Sequence, residues 1–243
     1  MIAIETRVLT KKYKDKTVVD ALNLTIEQGE LFALLGVNGA GKTTTIKMLS
    51  CLSKPSGGDA VLLGDSILDA PMAVKQKINV SPQETAVAPN LSVRENLELI
   101  YGIYGHDKKA AKEKAAEMIK SFGMDEIAED KAKTLSGGWQ RRLSIAMALI
   151  SEPQILFLDE PTLGLDVIAR RELWKLITEL NGKITIILTT HYLEEAEALA
   201  DRIGIMSQGK LKALGTAKEL LAQANTESFE DAFLTFVGKE AVL

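Results

Sequence analysis

One short segment, LLGVNGAGKTTTIKML (residues 34–49), limits the fold of this chain more than any other. It holds the spacing G-x-x-x-x-G-K-[ST] at Gly36, Gly41, Lys42 and Thr43, between an apolar run and a helix-like run. Because glycine has no Cβ, such a loop can bring its backbone N–H groups close to phosphate oxygens. The N-terminus of the following helix adds a partial positive charge. The segment therefore predicts a strand, a phosphate-binding loop and a helix.

The side chains of this loop suit a nucleoside triphosphate. Lys42 is placed to reach the β- and γ-phosphates, and the Thr43 hydroxyl is placed to ligate Mg²⁺. The alternative is a glycine-rich turn that only caps a buried strand, and the bare pattern is expected by chance in roughly one such chain in a hundred. We assign to the same nucleotide site the neighbouring residues Asn38, Gly39, Ala40 and Thr44.

The composition argues against several other classes of protein. With 243 residues, 46% of them hydrophobic, the chain is long enough for a large core or two lobes. The net charge is −4, whereas proteins that bind nucleic acid usually carry an excess of basic residues. The single cysteine, Cys51, excludes an internal disulfide and suits a reducing cytosol, and we expect it to be a buried spacer on the helix after the loop. We expect neither a signal peptide nor a membrane span.

The apolar pattern divides the chain into regions. Residues 1–84 begin with strand-like alternation, and residues 151–215 contain solid apolar runs typical of parallel strands covered by helices. Together they predict one α/β core, interrupted by a mostly helical insert at residues 85–150. Residues 216–243 are predicted to form a helical tail.

Local signals predict individual elements. Ser92 and Glu95 form a capping-box pattern, and Asp107 is expected to start a helix rich in Lys, Ala and Glu. Residues 54–58 are expected to form the turn of a hairpin spanning residues 54–68. The other predictions are strands at 78–80, 155–158 and 184–188, helices at 43–52, 137–150, 167–180 and 192–202, and a closing hairpin at 203–206 and 211–214.

A second site segment, ILFLDE (residues 155–160), delivers two carboxylates at the end of an apolar strand. Ligands of parallel sheets bind at this end of the strands. Asp159 is placed to hold Mg²⁺, and Glu160 is placed to polarise a water for attack on the γ-phosphate. The alternative is a strand end that carries two solvated acids.

Three more segments complete a family pattern: VSPQ (80–83), LSGGWQ (135–140) and ILTTH (187–191). With the phosphate loop and ILFLDE, they make the chain resemble the nucleotide-binding subunits of ATP-binding cassette (ABC) transporters over nearly its whole length. The LSGG signature is specific to that family. The resemblance implies a P-loop NTPase core with a mostly parallel sheet, an antiparallel β subdomain and a helical signature subdomain. It also implies ATP hydrolysis with ATP and Mg²⁺ bound.

The resemblance implies roles for three residues at the chain's own nucleotide. Tyr13 matches the aromatic residue that stacks on adenine, although it could be an ordinary residue at a strand end. Gln83 matches the glutamine that senses Mg²⁺ and the attacking water, and the alternative is a polar turn residue. His191 matches the switch histidine at the γ-phosphate, and the alternative is a surface imidazole. We therefore take Glu160, His191 and Gln83 as the catalytic set.

Other residues are implied to act across a dimer. Ser136, Gly137 and Gly138 match the signature that contacts the γ-phosphate bound to a partner subunit, and Asp166 matches an acid that crosses between subunits. The alternatives are a helix cap with its turn, and the N-cap of the next helix. A glycine-opened helix N-terminus is an anion site in its own right. The resemblance implies that two chains arranged head to tail enclose two ATP molecules.

The chain departs from the family pattern near these residues. Trp139 stands where the family usually has glutamine, and Leu163 and Val167 replace a small residue and a proline. We expect the serine and glycine contacts to survive these changes. In the tail, Phe229 and the phenylalanines at 233 and 236 share one helical face, which we expect to pack on the core. The pattern also resembles the tail of exporters whose permease is a separate polypeptide.

Two functions follow from the resemblance. The first is the motor of an exporter, peripheral at the cytoplasmic face of the membrane, with a permease and a second nucleotide-binding subunit as partners and no nucleic acid. The alternative is a soluble ABC-type ATPase that acts on nucleic acid or ribosomes. That class usually shows paired cassettes, zinc-binding cysteines or long coiled-coil insertions, none of which the sequence predicts.

A motor of this kind needs a docking surface for its permease. We expect a groove in residues 84–105, where closure of the site at Gln83 would be felt. The alternative is that these residues pack only within the insert. The apolar residues expected to line the groove are Val87, Ala88, Leu91, Leu97, Ile100, Tyr101 and Tyr104.

Overall fold

The computed structural model describes residues 1–238, which form two β-sheets and the helices that surround them. The strands are β1 (Ile2–Tyr13), β2 (Lys16–Glu27), β3 (Leu31–Leu35), β4 (Gly57–Leu62), β5 (Asp65–Ser66), β6 (Ile78–Ser81), β7 (Ile155–Asp159), β8 (Thr185–Thr190), β9 (Arg202–Ser207) and β10 (Lys210–Gly215). The helices are α1 (Lys42–Leu49), α2 (Pro71–Lys77), α3 (Val93–Ile103), α4 (Lys108–Ser121), α5 (Gly137–Leu149), α6 (Val167–Leu180), α7 (Leu193–Leu199), α8 (Ala217–Ala224) and α9 (Phe229–Val237).

The larger sheet positions the site. Its order is β10-β9-β3-β8-β7-β6, with parallel pairing from β9 through β6 and an antiparallel β10 at the edge. Strands β3, β7 and β8 are buried at every residue, as expected when helices or a second sheet cover both faces. The predicted α/β class with a mostly parallel sheet is confirmed. The segments that follow β3, β6, β7 and β8 all leave the sheet at its carboxyl edge.

The smaller sheet is antiparallel, with the order β2-β1-β4-β5. Its hairpin corrects one prediction, because residues 57 and 58 already belong to β4 and the tight turn lies at Leu63 and Gly64. The glycines that suggested a turn serve a different purpose. Gly58 has φ +70°, and a Cβ there would collide with the backbone oxygens of Arg7 and Val8 in β1. The local glycine signal therefore marks a close approach of strands.

The helical insert shares its core with the large sheet. Buried residues of α3, α4 and α5 form one cluster with Leu156 and Leu158 of β7 and with β8. Helix α3 begins at the predicted capping box, in which the Ser92 and Glu95 side chains each bond the other's backbone N–H. Helix α4 begins at the predicted cap, Asp107.

The expected docking groove needs correction. Leu97 is fully buried, and Val87, Ile100 and Tyr101 are partly buried against the core. Helical periodicity explains this result, because residues that face the core recur every three to four positions. The apolar side chains that α3 and its C-cap expose to solvent are Leu99, Ile103 and Tyr104.

The C-terminal tail packs onto the sheet. Phe229 and Phe233 are buried, and Phe236 is partly buried, in a cluster with residues of β3 and β9. The core-packing interpretation of this aromatic face therefore holds for the described residues. Residues 239–243 of the predicted tail lie outside them. Within residues 1–238, no helix has both the length and the apolar character needed to cross a bilayer.

Cys51 lies just after α1 instead of on it, because that helix ends at Leu49 and Cys51 has φ +56°. Its thiol is partly buried beside the carbonyl oxygen of Ile67, with 3.9 Å between Sγ and O. Burial raises the pKa of this thiol, and the nearby charge of Lys75 opposes the rise only in part. The position is thus a partly buried spacer.

Candidate functional site

A cavity of about 380 Å³ lies at the carboxyl edge of the large sheet. It collects segments that are distant in the sequence: the phosphate loop, the end of β6, the end of β7 and the end of β8. Its lining includes ten of the residues assigned to the site from the sequence, and adds Val18 and Leu163. The lining residues are Val18, Asn38, Gly39, Ala40, Gly41, Lys42, Thr43, Thr44, Gln83, Glu160, Leu163 and His191.

The phosphate loop requires glycine for two different reasons. Gly41 has φ +107°, a conformation that residues with side chains rarely adopt, and a Cβ there would lie 2.6 Å from the carbonyl oxygen of Val18. Gly36 has ordinary φ, but a Cβ there would collide with the carbonyl oxygen of Met206. Helix α1 begins directly after Gly41 with no side chain capping its N-terminal amides. The first turn therefore presents N–H groups and its helix dipole to the cavity.

Lys42 is a buried cation at the centre of this cavity. Its side chain is 4% exposed, and Nζ donates to the carbonyl oxygens of Gly36 (2.8 Å) and Val37 (3.3 Å). The same Nζ lies 3.2 Å from Oε1 of Glu160. A buried ammonium needs such partners, because an unpaired charge away from water is costly. The loop therefore holds one positive charge within reach of Glu160, the predicted general base.

Glu160 joins the phosphate loop to the end of β8. Its second carboxylate oxygen, Oε2, lies 2.9 Å from Nδ1 of His191. The residue has φ +47°, and a non-glycine residue in this region costs about 1–3 kcal/mol. Its backbone N–H bonds to the carbonyl oxygen of Thr189 at 3.1 Å and to the Thr189 hydroxyl at 3.0 Å, and these bonds hold the strained conformation.

Thr43 and Asp159 form a pair of oxygen donors beside the cavity. Thr43 Oγ1 donates to Oδ1 of Asp159 at 3.1 Å, and Asp159 is buried. The Thr189 hydroxyl donates to the same Oδ1 at 2.6 Å, and this bond restricts the orientation of the carboxylate. Hydroxyl and carboxylate oxygens are ligands that Mg²⁺ accepts, and Mg²⁺ commonly uses only one or two protein ligands in addition to phosphate and water. The donor set fits Mg²⁺, with the exposed Gln83 on the cavity wall as a further oxygen donor.

The residues assigned to a partner's nucleotide lie outside this cavity. Ser136 is the N-cap of α5, and its hydroxyl accepts a weak bond from Trp139 N at 3.5 Å. Asp166 is the N-cap of α6, where it accepts from the N–H groups of residues 168 and 169. Gly137 is exposed, and a Cβ on Gly138 would lie 3.0 Å from Cβ of Ala169. The structure therefore brings these two helix starts together on one surface.

Tyr13 lies at the end of β1 and does not line the cavity. Its ring is about half exposed, at 48%, and Lys11 Nζ lies 5.0 Å from the ring centroid. The ring is accessible for stacking, and its role at adenine stays a prediction.

Thr189 is the functional residue that reasoning from the sequence missed. It is fully buried, lies opposite Asp159 in the pairing of β7 with β8, and contacts both acids of the ILFLDE segment. The only signal was its place in ILTTH, two residues before His191. From the sequence alone, a buried threonine cannot be distinguished from an ordinary strand residue, because its neighbours depend on the strand register.

A second carboxyl lies in α7, the helix that begins two residues after His191. Glu195 of α7 is fully buried, and Trp174 Nε1 donates to its Oε1 at 3.0 Å. Burial raises the pKa of Glu195, while the nearby hydroxyls of Thr190 and Thr162, the Trp174 N–H and the charge of Arg170 act in the opposite direction. The hydrogen bond between Trp174 and this carboxyl joins α6 to α7.

Comparison with known proteins agrees with this geometry. Residues 19–163 match the family model described as ABC transporter. The chain is 42% identical over 219 residues to the daunorubicin/doxorubicin resistance ATP-binding protein of Streptomyces peucetius, which covers 90% of this chain and 66% of that protein. It is 40% identical over 238 residues to the linearmycin resistance ATP-binding protein of Bacillus subtilis, which covers 94% of this chain and 76% of that protein.

A probable multidrug ABC transporter ATP-binding protein of Escherichia coli is 41% identical over 96% of this chain, and the chain spans only 41% of that relative. Among solved structures, an ATP-binding subunit of an ABC transporter superposes with a TM-score of 0.85 at 27% identity, covering 96% of this chain and 99% of that one. A dimeric, post-hydrolysis ATP-binding cassette bound to ADP and Pi superposes with a TM-score of 0.79 at 27% identity, covering 88% and 98%. By motif, by fold and by relatives that match nearly its full length, the chain belongs to the ABC transporter family.

Proposed function

We propose that this chain binds and hydrolyses Mg²⁺-ATP and is the motor subunit of an exporter. The observation that carries the proposal is the convergence on one cavity of Lys42, Glu160, His191 and Gln83, beside the oxygen pair of Thr43 and Asp159. A cation, a carboxylate with an imidazole partner and a metal-binding oxygen pair are the groups that phosphoryl transfer to water needs.

The proposed roles follow from the contacts. Lys42 and the N–H groups of the first turn of α1 hold and orient the triphosphate. The Glu160 carboxylate, placed by β7 and held by His191, accepts the proton of the attacking water. Thr43 and Asp159 would hold Mg²⁺, which would neutralise negative charge on the phosphates. Since Glu160 contacts Lys42 at 3.2 Å, a bound γ-phosphate would compete with this carboxylate for the ammonium and free it to face the water.

We propose that a second copy or a paralogue completes the site. The Ser136 and Asp166 helix starts share one surface but do not reach this chain's own cavity. A head-to-tail dimer would place them on the partner's nucleotide. The dimeric arrangement described for a related cassette supports the proposal by analogy. Val167 and Ile168, which are 63% and 73% exposed beside Asp166, would be buried in such a contact.

We further propose that the dimer sits at the cytoplasmic face of a membrane, bound to a separate permease, and that transport is outward. Export is inferred from the resistance and export proteins among the relatives. The permease contact is assigned to the exposed apolar face of α3, formed by Leu99, Ile103 and Tyr104. Asn79 Nδ2 donates to the Tyr104 hydroxyl at 3.0 Å, which ties this face to β6, the strand that leads to Gln83.

Hydrolysis is tested with Glu160→Gln and a matched control, Glu126→Gln, which changes an exposed acid far along the chain. We expect Glu160→Gln to retain ATP binding and to lose about 10²–10⁴-fold in kcat, because a positioned base contributes that much. The two-ATP dimer should then accumulate in size-exclusion chromatography with Mg²⁺-ATP. If Glu160→Gln hydrolyses ATP at the rate of Glu126→Gln and stays monomeric, both the base and the dimer assignment are wrong.

The permease contact is tested by cross-linking in a Cys51→Ser background. Single cysteines at positions 99, 103 and 104 are compared with a cysteine at exposed Lys109 on α4, in membranes that contain the proposed permease. We expect cross-links from the α3 positions and none from position 109. If cross-links arise only elsewhere on the subunit, the assignment of the docking surface to α3 is wrong. If the chain associates with no membrane protein, the motor function is refuted.

A further inference from the structure

The buried arginine Arg141 has no role in the proposed chemistry. It lies in the second turn of α5, the helix that starts at the signature residues, and is 4% exposed. Its Nη1 donates to the carbonyl oxygen of Pro82 at 2.6 Å, and its Nη2 donates to the carbonyl oxygen of Gln83. One guanidinium thus donates hydrogen bonds to the carbonyls of two consecutive residues, Pro82 and Gln83.

The hydrogen-bond partners of this buried cation are backbone carbonyls. Within residues 1–238, no carboxylate lies at ion-pair distance from Arg141, so backbone carbonyls are its direct partners. Burial lowers its pKa, and the charge of Asp159 acts at longer range in the opposite direction. A charge kept in such surroundings depends on both carbonyls remaining in place, because removing a partner of a buried charge leaves it uncompensated. Displacement of the Gln83 backbone would therefore break bonds on which the buried guanidinium depends.

A second contact strengthens the link. Ser144, one turn beyond Arg141 on α5, lies with its hydroxyl 3.0 Å from the hydroxyl of Ser81, and both residues are buried. The stretch from Ser81 to Gln83 is therefore attached to one face of α5 at two levels. The N-cap Ser136 lies five residues before Arg141, about 7.5 Å along the axis of the same helix.

We propose that Arg141 is a positioning residue that couples the nucleotide held by the chain's own phosphate loop to the signature surface offered to a partner. Movement of Gln83 toward a bound nucleotide pulls on Arg141, and α5 carries the movement to Ser136 and the adjacent glycines. In the head-to-tail dimer, one guanidinium per chain would link the two nucleotide sites. This inference rests on the proposed ATP binding, but it concerns a pathway inside a single chain.

Hydrogen–deuterium exchange of the full chain tests the pathway directly. Exchange is measured with and without Mg²⁺-AMP-PNP, at a concentration where light scattering shows a monomer. We expect three segments to change on binding: residues 38–44, residues 80–88 and residues 136–142. Arg141→Met, which keeps the length of the side chain and removes its donors, should keep the change at 38–44 and lose the change at 136–142.

The matched control is Arg142→Met on the same helix. Arg142 donates to the Phe122 carbonyl and to Glu172, and stacks 4.6 Å from the Trp139 ring, without contacting residues 82–83. This variant removes an arginine from the same helix without removing a bond to residues 82–83, and it should keep the response at 136–142. If Arg141→Met does not fold, as judged by circular dichroism, Arg141→Lys replaces it, because a single ammonium cannot span two carbonyls as a guanidinium fork does.

The outcomes separate the two proposals. If segment 38–44 is not protected in the unaltered chain, ATP binding itself is refuted and the inference fails with it. If 38–44 is protected but 136–142 does not respond, or still responds in Arg141→Met, only the coupling role is refuted. In turnover assays, coupling predicts that Arg141→Met lowers kcat while KM stays near that of the unaltered chain, and that Arg142→Met does neither.

Discussion

Replacing Thr189 with valine removes a single hydroxyl from beneath both acids of the site. That hydroxyl donates to Asp159 at 2.6 Å and accepts from the N–H of Glu160 at 3.0 Å, in a fully buried position. A hydrogen bond to a charged group contributes about 1.5–3 kcal/mol to stability. For a chain of 150–250 residues, 1 kcal/mol shifts Tm by about 2–4 °C. We therefore expect Thr189→Val to lower Tm by about 3–12 °C.

The same change should also reduce turnover. Glu160 keeps its left-handed conformation partly through the lost bond, and a displacement of about 1 Å in a catalytic group can cost 10²-fold in rate. The matched control is Thr185→Val at the other end of β8, where a buried hydroxyl accepts a neutral bond from Gly29 N at 3.0 Å. That change should cost about 0.5–1.5 kcal/mol and leave kcat unchanged.

Calorimetry and steady-state ATPase assays on the two valine variants decide the matter. Thr189→Ser, which retains the hydroxyl, should recover most of both losses. If Thr189→Val and Thr185→Val show the same kcat, the hydroxyl does not place Glu160, and the account of the strained conformation is wrong.

Three further predictions concern single groups. Lys42→Ala should abolish productive ATP binding in calorimetry, whereas Lys47→Ala, an exposed lysine on the same helix, should bind normally; equal affinities would remove Lys42 from the site. Because burial raises the pKa of Cys51, iodoacetamide should alkylate this thiol more slowly in the folded chain than in the unfolded chain at the same pH. An equal alkylation rate in both states would contradict its burial. Because burial raises the pKa of Glu195 above 4.5, its contribution to stability is present at low pH and lost as pH rises through the folded-state value. Glu195→Gln should therefore gain stability relative to the unaltered chain as pH rises above 4.5, and a constant difference in Tm across pH would show that the carboxyl keeps its ordinary pKa.

Much of the site could be predicted from the sequence because its parts are local. The loop glycines, the ILFLDE acids and His191 each lie at or just after the end of a strand, and parallel strands bring their C-terminal residues to one edge of a sheet. The contacts that connect these parts could not be predicted. The bond from Thr189 to Asp159 depends on the register of β7 against β8, and the grip of Arg141 on Gln83 depends on how α5 packs against β6.

Two errors have the same cause. Leu97 was assigned to a docking groove because apolar residues cluster around it, but the phase of α3 relative to the core decides which of them are buried. The glycines at 57 and 58 suggested a turn, but at Gly58 the glycine is required by the neighbouring strand β1. In both cases a short window of sequence reports residue preference, whereas the outcome is set by an element far along the chain.

The five residues of β3 are divided among all three hydrophobic clusters. Leu31 belongs to the cluster of the helical insert, Phe32 and Leu34 to the cluster beneath the antiparallel sheet, and Ala33 and Leu35 to the cluster under the C-terminal tail. A substitution in β3 would therefore damage one of three different parts of the protein, depending on its position. Mutational scanning should find the segment before the phosphate loop less tolerant than the loop's own exposed residues, although no side chain of β3 lines the cavity.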